Sequence, residues 1–418
     1  MSVGVSTTDF PRYGPYTHVV TVTAFDSNSA HPPTGDRPVV ARVFALTDVG
    51  RSREHNEDTF LVAELETGSP VGFDGGALDL HASPRGLLFL VADGMGGAAS
   101  GELASSMAGT LVLEGLRRQW SQASTAPSVE QFAEALRDST MSANMRIHEH
   151  AREFPEHRGM GTTATIAGLL GDRLFLVQVG DSRAYLVRDG AARQITKDQS
   201  LMQRLVEAGE LTPEEAEVSD RRNIILQALG PEAQVTVDLT HQQLRKGDTL
   251  ILCSDGLSGL VKADEIAQLS SGEPDVRMLC RKLVDRANHR GGPDNITVVA
   301  VRFDGAGLLS SSAQDSVGYT AYPLPGTLFE QTRDIPIVPR APRNQIKSDP
   351  TPKQGVRMPT RAERRDLDES EQAASAQHLP LMEPEVAQRR ARMQPLLLLL
   401  ALMAVAAVVW TVVQLARR

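Results

Sequence analysis

Leu87-Leu88-Phe89-Leu90-Val91-Ala92-Asp93-Gly94-Met95-Gly96-Gly97 is the stretch that decides how this chain folds. An unbroken apolar run of strand length ends at an aspartate and passes through a glycine-rich turn. Helical periodicity follows at once, with Leu103, Met107 and Leu111 on one stripe of 102–116. The glycines resemble a phosphate-cradling loop, but no Gly-Lys-Ser/Thr follows, which argues against nucleotide binding. The same pairing of apolar run and carboxylate recurs three times. Asn56-Glu57-Asp58 opens the run 59–65, Ser254-Asp255-Gly256 closes 249–253, and Gly292-Pro293-Asp294-Asn295 opens 296–303. Each aspartate therefore sits at a strand end, where turns bring side chains from distant segments to one point. Clustered hard oxygen ligands of this kind hold Mg²⁺ or Mn²⁺ for hydrolysis at phosphorus.

Further apolar runs at 42–46, 162–170, 174–179 and 184–187 read as strands, with Gly171-Asp172 and Asp189-Gly190 as tight turns between them. Such short connections make antiparallel sheets. A second helix fits 129–150, with Val129, Phe132, Leu136, Ala143 and Ile147 on its apolar face, and shorter helices fit 201–208, 213–218 and 274–286. The order strands, helix pair, strands, helices, strand predicts an α+β fold, sheet on sheet with helices outside.

The 418 residues include 41% hydrophobic ones, enough for a sizeable core. A net charge of -9 excludes general nucleic-acid binding, which needs a basic face. Two cysteines, Cys253 and Cys280, are too few for a disulfide framework and fit a reducing compartment.

Residues 1–38 read as a flexible tail without a signal peptide, since 19–22 is too short for an apolar core segment. The folded unit is expected over 39–304. Residues 305–394 are rich in Pro, Ser, Gln and mixed charge, and predict a flexible linker, with a coil dimension on the order of 50 Å. The segment 395–413 has no charge and as a helix spans roughly 28 Å, close to the hydrocarbon thickness of a bilayer. It predicts a C-terminal transmembrane helix with a short tail at 414–418. Arg389, Arg390 and Arg392 precede it, so the large N-terminal part is expected in the cytoplasm, and Trp410 suits an interfacial anchor. The expectation is a tail-anchored protein of the cell inner membrane.

The motifs and their order resemble the type 2C (PPM) metal-dependent serine/threonine protein phosphatases, bacterial branch. The resemblance covers 41–303 and rests on Gly50-Arg51-Ser52-Arg53-Glu54-His55-Asn56-Glu57-Asp58, Val91-Ala92-Asp93-Gly94-Met95-Gly96-Gly97, Gly159-Met160-Gly161-Thr162-Thr163, Val179-Gly180-Asp181-Ser182-Arg183, Ile195-Thr196-Lys197-Asp198, Cys253-Ser254-Asp255-Gly256-Leu257 and Gly292-Pro293-Asp294-Asn295. Any one of these is a weak signal; seven in family order are specific. The implied fold is a β-sandwich of two antiparallel sheets flanked by pairs of α-helices.

Position by position, the resemblance implies that Asp93 bridges two Mg²⁺ or Mn²⁺ ions, with the Gly94 carbonyl, Asp58, Asp255 and Asp294 completing the protein ligands. Asp181 matches a carboxylate used for a third, weaker ion. A water between the metals would be the nucleophile, with Asp93 and Asp255 at the catalytic centre. Arg53 matches the arginine that binds substrate phosphate, a role a planar guanidinium suits, and Arg51 is its neighbour. Residues 197–223 match a variable flap beside the active site. Met95 stands where many eukaryotic members carry a histidine proposed as general acid, and methionine donates no proton. The stretch 66–86 lengthens one connection and is expected as a surface loop.

These implications amount to hydrolysis of phosphoserine and phosphothreonine in proteins, opposing Ser/Thr kinases at the membrane. The partners would be phosphorylated proteins, among them kinases and their substrates. The alternative is a catalytically silent or single-partner regulatory phosphoprotein-binding domain; five filled ligand positions argue against silence. His55, His148, His150 and His157 lie on polar segments without metal-ligand spacing and read as solvated surface. Ser182 and Ser254 lack a local histidine and do not read as nucleophiles.

Overall fold

A computed structural model describes residues 38–120 and 125–324; the N-terminal tail, most of the linker and the apolar segment 395–413 lie outside the described residues. Among the described residues no helix is long and apolar enough to cross a membrane.

In chain order the strands are β1 (Val40–Asp48), β2 (Asp58–Glu64), β3 (Ser69–Pro70), β4 (Leu78–His81), β5 (Leu87–Met95), β6 (Gly161–Thr162), β7 (Ala164–Leu170), β8 (Arg173–Val179), β9 (Arg183–Arg188), β10 (Ala191–Gln194), β11 (Asp238–Gln243), β12 (Thr249–Cys253) and β13 (Ile296–Asp304). The helices are α1 (Ala98–Trp120) and α2 (Val129–Glu153) between β5 and β6, α3 (Leu201–Glu207) and α4 (Pro213–Glu217) between β10 and β11, and α5 (Asp255–Ser258), α6 (Ala263–Gly272) and α7 (Val276–His289) before β13. One sheet runs β10-β9-β12-β13-β1-β4 and the other β11-β8-β7-β5-β2-β3, with β6 added against β5. Every strand pairing is antiparallel.

Strand β5 shows why the sheets stack. Leu87, Phe89 and Val91 join Val43, Ala45, Val299, Val301 and Leu176 in the core between the two sheets. Leu88, Leu90 and Ala92, on its other face, pack under α1 and α2 with Ala108, Val112, Phe132 and Leu136. Because both faces of this strand are covered, it reads as continuous apolar sequence rather than as alternation. The other sheet is covered in the same way, with Phe44, Ile251 and Val298 facing Ile266, Leu279 and Leu283 of α6 and α7. The result is helix layer, sheet, sheet, helix layer, the mixed architecture expected from the order of elements.

Helix α2 begins where its sequence supplies a cap: the Ser128 hydroxyl accepts from the Gln131 amide, and the Gln131 side chain accepts in return from the Ser128 amide. The expected surface loop at 66–86 is corrected in part. It contributes β3 and β4, and β4 pairs with β1 to form a sheet edge, burying Leu80. Residues 305–324, assigned by composition to the linker, are also packed on the domain. Arg245 pairs with Asp315 at 2.6 Å, and Leu308 and Leu324 are buried.

Candidate metal centre

Asp58 and Asp93 are direct register partners at the ends of β2 and β5, so pairing of these two strands sets the two carboxylates side by side. Asp255 opens α5 just past β12, Asp294 precedes β13, and Asp181 lies in the turn between β8 and β9. The last residues of both sheets thus converge on one end of the sandwich.

The local backbone is built for close approach. Gly94 leaves no room for a side chain, since a Cβ there would overlap the carbonyl oxygen of Gly101. Gly50, at φ +82°, packs against the backbone of Asp294. Asn295 ties three segments together: its side-chain oxygen accepts from the Glu57 amide at 2.9 Å, and its amide group donates to the carbonyls of Val49 and His55 at 3.0 and 2.9 Å. The Ser254 hydroxyl donates to Asp58 Oδ2 at 2.7 Å and accepts from the Thr297 amide at 3.0 Å. Thr163 Oγ1 accepts from the Asp93 amide at 2.9 Å and bonds Ser182 Oγ at 2.8 Å. Ser254, Thr163 and Asn295 were legible only as members of motifs. Their work of holding ligand-bearing backbone and carboxylate in place emerges from the three-dimensional contacts.

The electrostatics are those of carboxylates brought together without enough positive charge. Burial, followed by the Asp255 and Asp294 charges, moves Asp58 from 3.8 up to about 7. Burial, then Asp255 and Asp198, moves Asp181 up to about 8. Asp93 and Asp255 are raised by burial first and by their aspartate neighbours second. Among the described residues, Asp58 Oδ1 is buried with no hydrogen-bond partner. Among the described residues no three carboxylate, imidazole or thiolate side chains close into a finished ligand set. Like charges in a low-dielectric site stay apart unless a cation lies between them.

A hard divalent cation fits this donor set. The orphaned Asp58 oxygen and the mutually raised aspartates supply oxygen donors only, which suits Mg²⁺ or Mn²⁺ and not a thiolate- or imidazole-seeking metal. Arg53 stands exposed at the rim with its guanidinium 2.8 Å from Asp294 Oδ2. Arg51 is engaged through its backbone, donating to the Gly292 carbonyl at 2.7 Å. Of the two arginines, only Arg53 is shown with its guanidinium paired to one of these aspartates.

The segment 197–223, expected from the resemblance to form a flap, carries α3 and α4. Its two ends are stitched together by Leu201 and Ile224 at 2.8 Å and by Leu226 and Gln199 at 2.7 Å. Its base is anchored beside Asp181: the Gln199 amide donates to the Gly180 carbonyl at 2.8 Å, and Asp198 accepts from Arg183 at 2.7 Å. The scattered histidines stay outside the aspartate cluster. His150 Nε2 bonds His157 Nδ1 at 2.9 Å beside α2, and His148 Nδ1 lies 2.9 Å from the Gly230 carbonyl.

A sequence model of the family described as Protein phosphatase 2C matches residues 77–297. The serine/threonine phosphatase stp of Listeria monocytogenes is 34% identical over 258 residues, covering 62% of this chain and 94% of that protein. The crystal structure of the Mycobacterium tuberculosis serine/threonine phosphatase PstP/Ppp aligns at 35% identity with a TM-score of 0.52, covering 63% of this chain and 99% of that one. The catalytic domain of serine/threonine protein phosphatase PstP in complex with two manganese ions aligns at 35% identity with a TM-score of 0.50, covering 64% and 99%. Two antiparallel sheets with aspartates gathered at one end, and a sequence match running through the segments that carry Asp93, Asp181, Asp255 and Asp294, have one common explanation: this chain belongs to the protein phosphatase 2C family.

Proposed function

We propose that the chain hydrolyses phosphoserine and phosphothreonine esters in proteins, using Mn²⁺ or Mg²⁺ held by Asp58, Asp93, Asp255, Asp294 and the Gly94 carbonyl, with Asp181 contributing to a third position. The observation that carries this reading is the set of aspartates gathered from both sheets, raised by burial and by one another's charge, beside an exposed arginine. When bound, the metals shield the charge of the phosphate dianion and make hydroxide available at neutral pH. The chain's own residues supply the rest. Arg53, presented by its pairing with Asp294, offers a fork of N–H donors to two phosphate oxygens. Ser254 orients Asp58, and Thr163 holds the backbone of Asp93. Met95 ends β5 and donates no proton, so no side chain at that position protonates the leaving alkoxide.

The substrates follow from the same chemistry. An open rim with the flap at its side accepts a phosphorylated side chain projecting from a larger protein, and phosphoproteins made by Ser/Thr kinases fit it. The domain limits 39–304, the linker and the span at 395–413 belong to this reading: a tail-anchored enzyme facing the cytoplasm would meet membrane-bound kinases and their targets at raised effective concentration. The full-length chain in detergent should release phosphate from p-nitrophenyl phosphate and from a phosphothreonine peptide with Mn²⁺, and lose both activities with EDTA or as Asp93→Ala. Well-folded protein that turns over neither substrate at any metal concentration would sink the reading and leave a phosphoprotein-binding module in its place.

A further inference from the structure

Residues 305–324 form a strap on the domain whose last part, 320–322, runs along the edge strand β11. The His241 amide donates to the Thr320 carbonyl at 3.0 Å, the Tyr322 amide donates to the Leu239 carbonyl at 2.8 Å, and Thr240 bridges Ala321. Asp315 anchors the strap's middle to Arg245. Between these fastenings Tyr319 reaches sideways toward the flap. Its hydroxyl donates to Asp238 of β11 at 2.9 Å, and the Lys197 ammonium sits 4.3 Å from the centre of its ring. Lys197 also pairs with Glu207 of α3 at 3.2 Å. One aromatic side chain therefore joins the strap, the sheet edge and the first helix of the flap.

Lys197 is the residue at which the flap departs from the sandwich. The next two residues are those anchored beside Asp181, Asp198 through Arg183 and Gln199 through Gly180. A contact that fixes Lys197 fixes the direction in which the flap leaves the rim. The flap carries Val218 as an exposed apolar side chain, and Ile224 and Leu226 are exposed just past its end, so this segment offers apolar surface to a peptide longer than the phosphorylated residue. We propose that Tyr319 is a positioning residue, by which the strap holds the flap hinge at Lys197 and so sets the enzyme's affinity for phosphopeptides. The substrate half of this inference rests on the phosphatase reading above; the clamp itself does not.

The test uses the full-length chain in detergent with Mn²⁺, as wild type, Tyr319→Ala and Tyr319→Phe. Loss of an exposed cation–π contact predicts that Tyr319→Ala raises KM for a phosphothreonine peptide by about two- to five-fold, with kcat/KM for p-nitrophenyl phosphate unchanged. Tyr319→Phe keeps the ring under Lys197 and should recover most of that loss. Backbone hydrogen exchange over 197–211 should quicken in Tyr319→Ala and stay near wild type in Tyr319→Phe, a readout that needs no turnover. The clamp is overturned if exchange over that segment is the same in all three proteins. Its role in recognition is overturned if peptide KM does not move, or if both substrates fall in parallel with phenylalanine no better than alanine. Wild-type protein inactive on both substrates counts against the phosphatase reading, and the exchange comparison still decides the clamp.

Discussion

Chelating the metal should turn the active-site aspartates into a pH-dependent load on the fold. Asp58 moves from 3.8 to about 7 on folding, through burial first and the neighbouring Asp255 and Asp294 charges second. The folded protein therefore binds a proton here that the unfolded chain has released over most of the window between those values. By linkage, stability is greatest at the acid end and falls as pH rises toward 7. At about 1.4 kcal/mol per tenfold, Asp58 alone accounts for a loss on the order of 4 kcal/mol across that window, of which about 3 kcal/mol, or roughly 6–12 °C in Tm for a domain of this size, falls above pH 5. Asp181, raised to about 8, extends the decline in the same direction. Thermal unfolding of the full-length chain in EDTA at pH 5, 6, 7 and 8 measures this, and Asp58→Asn, which carries no titrating carboxyl, should show a shallower decline. A metal-free Tm that rises or holds steady from pH 5 to 8, or a variant whose slope matches wild type, would refute the reasoning.

Adding Mn²⁺ to chelator-free apo-protein at the same pH values should raise Tm most at pH 8 and least at pH 5, because the metal competes with protons for the same oxygens; equal shifts at both ends would contradict a carboxylate site. Ser254→Ala removes the hydroxyl that orients Asp58 and should weaken apparent Mn²⁺ affinity by about 10- to 100-fold in activity titrations, while saturating metal restores much of the rate. Arg188 and Asp248 form a buried pair at 2.6 Å, so Asp248→Ala should cost about 3–5 kcal/mol in urea unfolding by leaving the buried guanidinium without its carboxylate. Gly94→Ala should abolish metal-dependent turnover, since its methyl group would overlap the Gly101 carbonyl; a variant with normal activity would show that β5 does not approach α1 as closely as described.

Much of the architecture was legible because the central strands are buried on both faces. The continuous runs of β5, β7, β8, β12 and β13 have no other comfortable environment, and the helix pair α1 and α2 carries the apolar stripe that covers one sheet. The edges were not legible. β11 reads Asp-Leu-Thr-His-Gln-Gln and β10 reads Ala-Ala-Arg-Gln; both are held by backbone ladders, which any non-proline residue supplies, so composition carries little signal. The same physics hides the strap, whose hold on β11 runs through main-chain hydrogen bonds and the Tyr319–Asp238 contact.

At the candidate site, the aspartates were legible because each lies at the boundary between an apolar run and a turn. Their supporting contacts were not, because the Ser254 hydroxyl meets Asp58 across 196 positions of sequence and the Asn295 amide group reaches Val49 across 246. Nothing local marks such a partner. Arg53 was distinguished from Arg51 by motif position, and in the structure it pairs with Asp294 while Arg51 is tied down through its main chain.

The most direct test of the carboxylate metal centre is a count of Mn²⁺ bound per chain by equilibrium dialysis of full-length wild type and Asp93→Ala. The account predicts at least two ions per wild-type chain and fewer than one in the variant, with both proteins folded. Equal binding by the two, or no binding by folded wild type, would contradict it.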